Sequence, residues 1–298
     1  MSDDVIGLDR TGMDMDVLDG KVVAGYASAS PQLDAELTVP ANLTAAAFFD
    51  VDNTMLRGAS LYWFARGMAA RDYFTTRDMV RFAWSQVKFR VLAAEQPGDV
   101  SHARTAALSF VKDWPVSKLE NLSEEIFDEL MAERIWSGTL ALAQLHLAAG
   151  QRVWLVTAAP IELGRVIADR LGLTGALGTI AETHRGVYTG RLVGDLLHGP
   201  AKAEAIRELA ELHGLDLASC TAYSDSINDV PMLSTVGHAV AVNPDAALRR
   251  EARRRNWEVR DFRTARKAVK IAVPAALGVG AVIGAAVATA AVKRRGRV

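Results

Sequence analysis

The stretch Ala45-Ala46-Ala47-Phe48-Phe49-Asp50-Val51-Asp52-Asn53-Thr54 decides the fold. Five consecutive apolar residues read as a buried strand, and the run stops on a carboxylate. Four further short runs have the same character: 152–156, 221–223, 238–242 and 257–260. Helical patterns lie between them. One opens at Pro160 and is closed by Gly172, and another opens at Ala201 and is closed by Gly214. Proline at a helix start and glycine just past its end form the expected asymmetry. Strands alternating with helices of this length predict an α/β fold, a doubly wound, Rossmann-like parallel sheet covered on both faces. A hairpin-like stretch from Gly186 to Gly194 interrupts the later half.

Residues 55–150 break the alternation, with no strand signal. Ser117 and Glu120 have capping-box spacing, and Leu119, Leu122, Ile126 and Leu130 follow at helical intervals. Residues 139–149 read as a further helix stopped by Gly150. The earlier part carries Tyr62, Trp63, Phe64, Tyr73, Phe74, Phe82, Trp84 and Phe89. The expected organisation is a core formed by 44–54 and 151–262, with a helical cap, 55–150, inserted after the first strand.

The chain has 298 residues and a formal net charge of -1, but the charge is uneven. Residues 1–43 carry eight acidic and two basic side chains, and residues 248–298 carry fourteen basic and three acidic ones. The first segment reads as disordered and acidic, and the second suits an anionic partner. Cys220 is the only cysteine, so no internal disulfide can form, and a reducing compartment is expected. The N-terminus lacks the apolar core of a signal peptide. Near the other end, residues 271–292 run for 22 positions without a charge, flanked by Lys267 and Lys270 on one side and Lys293, Arg294 and Arg295 on the other. As a helix this segment would be about 33 Å long, enough to cross a bilayer core. Nine of its residues are alanine, so a helix lying on the membrane surface is the competing reading. Gly280 and Gly284 have a spacing that lets two such helices pack closely, which makes a homodimer conceivable. The expected location is a cytoplasmic catalytic domain anchored to the cell membrane by this segment.

Asp50 and Asp52 follow the first strand directly, and ligands of open α/β sheets bind beyond the carboxyl ends of the strands. Alone, Asp-x-Asp is weak, because it also occurs in glycosyltransferases and calcium loops. Three further features fall at strand ends in one order. Thr157 ends the second strand and precedes Ala158 and Ala159, where a hydroxyl and backbone N–H groups can hold a phosphate oxygen. Lys202 sits in the first turn of its helix, where the helix dipole favours anions rather than a cation. Ser224-Asp225-Ser226-Ile227-Asn228-Asp229 then follows the strand 221–223. Each has an ordinary reading taken singly: a strand-end hydroxyl, a surface charge, a helix cap.

Together these motifs resemble the haloacid dehalogenase superfamily, in its subfamily IB, the phosphoserine-phosphatase-like branch of actinobacterial type. The resemblance runs over about residues 44–262. It implies a phosphatase in which Asp50 attacks phosphorus and becomes an aspartyl phosphate, while Asp52 protonates the leaving oxygen and later deprotonates water. It implies Mg²⁺ held by the Asp50 side chain, the Asp52 backbone carbonyl and Asp225. It also implies Lys202 on the nucleophile and phosphoryl oxygens, Asp229 holding Lys202, and Thr157, Ala158 and Asn228 on the substrate. Charge supports the cation, since four carboxylates and a phosphate face one lysine.

The substrate is less determined. The branch binds the serine amine through an acidic residue soon after the first motif, and residues 55–71 contain none. They hold Arg57, Arg66 and Arg71 beside Tyr62-Trp63-Phe64, which fits a bulkier anion unless these aromatics are simply the core of the cap. The readings carried forward are a phosphatase of phosphoserine or a bulkier monoester, a membrane-associated lipid-phosphate phosphatase, and a non-catalytic membrane-tethered adaptor. A nucleic acid is not an expected partner.

Overall fold

The computed structural model describes residues 39, 41–73 and 111–263. Most of the acidic N-terminal stretch and the whole apolar segment 271–292 lie outside them. Among the described residues no helix is long and apolar enough to cross a membrane.

The core is a six-stranded sheet. In chain order its strands are β1 (Ala46–Asp50), β2 (Arg152–Pro160), β3 (Gly175–Thr179), β6 (Thr221–Ser224), β7 (His238–Val242) and β8 (Glu258–Arg260). They lie side by side as β3-β2-β1-β6-β7-β8, and every pairing is parallel. The expected α/β fold class is therefore borne out. Strand β1 is buried along its whole length, as its apolar run requires. The chain builds outward from β1 to β3, then returns to place β6 on the other side of β1. Strand order reverses between β1 and β6, and the crevice beyond their carboxyl ends is where such sheets bind ligands.

Between β1 and β2 come α1 (Ser60–Ala70), α2 (Val116–Ile126) and α3 (Ser137–Ala148), with a tight π- and 3₁₀-type passage over residues 127–134. The apolar positions Leu119, Leu122 and Ile126 of α2 are buried. The expected capping box does not form: α2 starts at Val116 with Pro115 as its N-cap, which leaves Ser117 inside the first turn and no side chain capping the end. Gly67 lets α1 and α2 approach closely, since a Cβ there would lie 2.5 Å from the Ile126 side chain. Strand β2 is followed by α4 (Ile161–Arg170), and β3 by an antiparallel hairpin, β4 (Ala181–His184) with β5 (Val187–Leu192). Then come α5 (Pro200–His213), the short α6 (Val230–Leu233) and α7 (Ala246–Arg255).

Strand β3 was not foreseen. Its residues, Gly175-Ala176-Leu177-Gly178-Thr179, include two glycines and carry little strand signal of their own. The glycines serve close packing instead. A Cβ on Gly178 would meet the Ile161 backbone at 2.8 Å, and one on Gly175 the Trp154 ring at 2.7 Å.

Helix α3 is tied to the sheet by a buried polar chain. Gln151 Oε1 and His146 Nδ1 are 2.7 Å apart, and His146 Nε2 lies 2.7 Å from Tyr223 Oη on β6. The Tyr223 ring stacks on Phe49 of β1 with centroids 4.1 Å apart. Gln151 presents its carbonyl oxygen, so Nδ1 carries the proton and Nε2 accepts from the tyrosine. Burial keeps the imidazole below its ordinary pKa, hence neutral. Tyr223→Phe keeps the stacked ring but leaves Nε2 buried without a donor, so it should lower stability by about 1–3 kcal/mol in urea unfolding. An unchanged unfolding midpoint would show that this chain of bonds contributes nothing.

Candidate active site

Asp50 is the last residue of β1 and pairs in register with Val156 of β2, which puts Thr157 one step further along the same edge. Strand β6 ends on Ser224, beside β1. Lys202 enters from the first turn of α5, whose N-cap is Gly199 at φ 55°. Three separate elements therefore deliver one cluster.

At its centre Lys202 Nζ lies 2.6 Å from Asp50 Oδ1 and 3.0 Å from Asp229 Oδ2. Ser224 Oγ donates to the same Asp229 oxygen at 2.7 Å. Asp50, Lys202 and Asp229 are 5%, 3% and 2% exposed. Burial alone would lower the pKa of the lysine, but Asp50 and Asp229 outweigh it and hold the ammonium above its ordinary value. The carboxylates bear the remaining penalty. Burial pushes Asp50 up to about 7: Lys202 pulls it down, while Asp229 and Asp52 push it further up. Asp225 is raised to about 8 by burial first, then by the charges of Asp50, Asp229, Asp52 and Asp245. One ammonium does not neutralise this many carboxylates.

The other expected residues have definite places. Asp52 is half-buried, and its Oδ1 accepts from the backbone N–H and the hydroxyl of Ser60 at 2.8 and 2.6 Å. Thr157 is buried, and its hydroxyl oxygen accepts from Ala159 N at 3.1 Å. Ala158 is half-buried, and its carbonyl accepts from Thr179 Oγ1 at 2.8 Å, within a register shift between β2 and β3. Asn228 is exposed. Among the described residues no hydrogen bond links Thr157, Ala158 or Asn228 to the Asp50–Lys202–Asp229 cluster. Asp225 does not cap the following turn; Ser226 does, accepting from Asn228 N.

Sequence reasoning missed Ser60, Ser224 as a ligand of Asp229, and Asp245. Asp245 caps α7 through Leu248 N at 2.6 Å and accepts from Ile227 N at 3.1 Å, which ties the 225–229 loop to the next crossover. Such small polar residues leave no periodic trace. Two expectations for the arginines of the helical insertion are corrected. Arg71 is ion-paired with Glu125 and Glu129 at 3.1 and 2.7 Å. Arg57 donates to the carbonyls of Glu133 and Arg134. Both link the start of the insertion to residues 125–134. Arg66 is exposed beside Trp63, whose ring also carries Arg134 at 3.7 Å.

Among the described residues no three His, Cys, Asp or Glu side chains form a ready-made metal cage. The donor set nevertheless fits a hard divalent cation: Asp50 and Asp225 both have raised pKa values from burial and mutual repulsion, and a cation relieves that excess charge. Two carboxylates and one backbone carbonyl, completed by water and phosphate, suit Mg²⁺ better than an all-protein cage does. Because Asp50 and Asp225 must be ionised to ligate, Mg²⁺ binding should release protons and tighten about tenfold or more from about pH 6 to about pH 8. Calorimetric titration at the two pH values checks this, and equal affinities would contradict the assignment of these carboxyls as ligands.

The model of the haloacid dehalogenase-like hydrolases matches residues 47–234. The Mycobacterium tuberculosis protein called phosphoserine phosphatase SerB1 is 58% identical over 258 residues, which cover 87% of this chain and 83% of the relative. A solved Bordetella pertussis protein, described as having unknown function, is 28% identical with a TM-score of 0.65, over 73% of this chain and 98% of that one. A phosphoserine phosphatase solved as a phospho-aspartyl intermediate analogue shares the fold at 19% identity, with a TM-score of 0.52 over 75% of this chain and 98% of that one.

Proposed function

The chain belongs to the haloacid dehalogenase-like hydrolase family and is a phosphatase, and we propose that it cleaves phosphate monoesters in two steps through a phosphorylated Asp50, with Mg²⁺ bound. The observation that carries this reading is the buried triple of Asp50, Lys202 and Asp229. A carboxylate buried to this degree is a poor structural choice unless its charge is used.

In the first step an Asp50 carboxylate oxygen attacks phosphorus, and the bond from phosphorus to the leaving oxygen breaks. Asp52 supplies the proton to that oxygen. In the second step Asp52 takes a proton from water, whose oxygen displaces Asp50 from phosphorus. Lys202, held by Asp229, whose same oxygen also accepts from Ser224, keeps its charge throughout and faces the nucleophile. It offsets the repulsion between Asp50 and the incoming phosphate. A bound Mg²⁺ supplies the further positive charge that the phosphoryl group needs. Asp50 and Asp225, with the Asp52 carbonyl, would hold it. Thr157 follows Val156, the register partner of Asp50, and its hydroxyl, the backbone of Ala158 and Asn228 would take the phosphoryl oxygens.

For the substrate, phosphoserine is the first ester to test, because the 58%-identical relative carries that name. Residues 55–71 offer no carboxylate to its ammonium group, so a bulkier monoester is expected to be turned over faster. Arg57 and Arg71 lend a lipid phosphate no support, since they are committed to carbonyls and carboxylates of the insertion itself. Membrane attachment through 271–292 stands on sequence alone.

Phosphate release by the purified chain with Mg²⁺ should be measured over phosphoserine, sugar phosphates, lysophosphatidic acid and p-nitrophenyl phosphate. Asp50→Asn should lower turnover by about a thousandfold or more with the fold intact by circular dichroism, and EDTA should abolish wild-type turnover until Mg²⁺ is restored. Wild-type rates from the Asn variant would end the covalent reading, and phosphoserine as the best ester by about tenfold would end the substrate preference stated here.

A further inference from the structure

Ser60 is the first residue of α1 and is fully buried. Its backbone N–H and its hydroxyl both donate to one atom, Asp52 Oδ1, at 2.8 and 2.6 Å. The N-cap residue of α1, Ala59, has no side chain that can cap the helix. Asp52 therefore caps it from a position eight residues upstream. The loop between them is tightly determined. Met55 N and Leu56 N both donate to Val51 O, at 3.0 and 2.9 Å. Asn53, at φ 62°, closes onto Gly58 through Asn53 N to Gly58 O and Gly58 N to Asn53 Oδ1. The second connection to the insertion is sewn to this loop. Trp136 N donates to Met55 O, and Arg57 N to Arg134 O, both at 2.9 Å. The contact between Ser60 and Asp52 is thus part of the joint between insertion and core.

A carboxylate oxygen offers two in-plane directions to donors. Two donors on Oδ1 occupy both, and a proton carried by this carboxyl then belongs on Oδ2. We propose that Ser60 is a positioning residue for proton transfer, fixing the Asp52 carboxyl by its Oδ1 so that Oδ2 faces the leaving oxygen and the attacking water. When the phosphorus–oxygen bond of the ester breaks, the proton on Oδ2 passes to the departing oxygen. When water attacks the phosphorylated Asp50, one of its protons returns to Oδ2 as the Asp50–phosphorus bond breaks. The inference rests on the reading of Asp50 and Asp52 above. It adds that the insertion reaches the acid through its first helical residue, so a displacement of α1 re-aims Asp52.

A helix cap and a proton aligner differ in what they cost when removed. Loss of a cap lowers stability and affects all esters alike. Loss of alignment falls on esters whose leaving oxygen needs a proton, since an alkoxide leaves poorly and p-nitrophenolate leaves readily without one. The test measures kcat/KM of the full chain with Mg²⁺ for p-nitrophenyl phosphate and for the best alkyl phosphate of the panel, because kcat/KM reports the steps through departure of the alcohol. Ser60→Ala removes the hydroxyl, Ser60→Cys keeps the volume with a weak donor, and Ser60→Thr keeps the hydroxyl. Ala and Cys should lower kcat/KM for the alkyl ester about tenfold and for the aryl ester by less than about threefold, with Thr nearer to wild type. The Cys variant carries the test if Ala does not fold. An equal loss on both esters, or no loss on either, overturns the role of Ser60 while leaving the phosphatase reading intact. A wild-type chain inert on both esters overturns that reading itself.

Discussion

The structure depends on keeping one ammonium charged where almost no water reaches. Lys202 holds Asp50 at 2.6 Å and Asp229 at 3.0 Å, and neither partner comes from a nearby part of the chain: Asp50 is 152 residues away. Desolvating three charges costs several kcal/mol for each ion, and one cation does not repay that for two anions. The remaining debt appears as the raised pKa values of Asp50 and Asp225. A fold selected for stability alone would replace the cluster with apolar side chains. Its presence makes sense if a divalent cation and a phosphoryl group complete the charge balance.

The rest of the architecture can be derived from the need to hold that cluster. Three elements must end at one point, and an order reversal between β1 and β6 places Asp50 and Ser224 on adjacent strands. Behind them, the Tyr223–Phe49 stack sits one residue back from each end and locks the two strands in step. His146 of α3 holds the tyrosine from the side, so this last helix of the insertion packs with the core. The buried Cys220 Sγ accepts from Ala46 N at the far end of the same strand pair. The strands that carry the carboxylates are thereby fixed at both ends.

What could be read from the sequence follows from which signals are local. Strands β1, β2, β6 and β7 are continuous apolar runs, and a parallel sheet buried on both faces needs such runs. Lys202 stood out because a cation in the first turn of a helix opposes the helix dipole, and Asp50, Asp52, Asp225 and Asp229 because they gather where strands end. Strand β3 escaped because its glycines answer to Ile161 and Trp154, which are distant in the chain. The capping box at Ser117 failed because the helix already starts at Val116, so Ser117 lies inside the first turn and the N-cap is Pro115, which has no side-chain acceptor. Ser60 and Ser224 were unreadable because a hydroxyl gains its role only from a partner brought by the fold. Arg57 and Arg71 misled for the same reason: their acceptors, Glu125, Glu129 and the carbonyls of residues 133 and 134, come from the far end of the insertion.

This contrast separates chemistry from selectivity on physical grounds. Asp50 sits at the end of a strand clamped between two parallel neighbours, and Asp52 follows two residues on, so their geometry tolerates little change in sequence. The insertion touches that geometry through His146 on Tyr223 and at the joint formed by residues 51–60 and 132–137, through Ser60 on Asp52, Trp136 on Met55 and Arg57 on residue 134. Substitutions elsewhere in the insertion can alter what is admitted without moving the nucleophile, as long as the joint stays closed. A family built in this way can keep one reaction and change its ester. The motif residues therefore identify the chemistry of this chain much more firmly than its substrate.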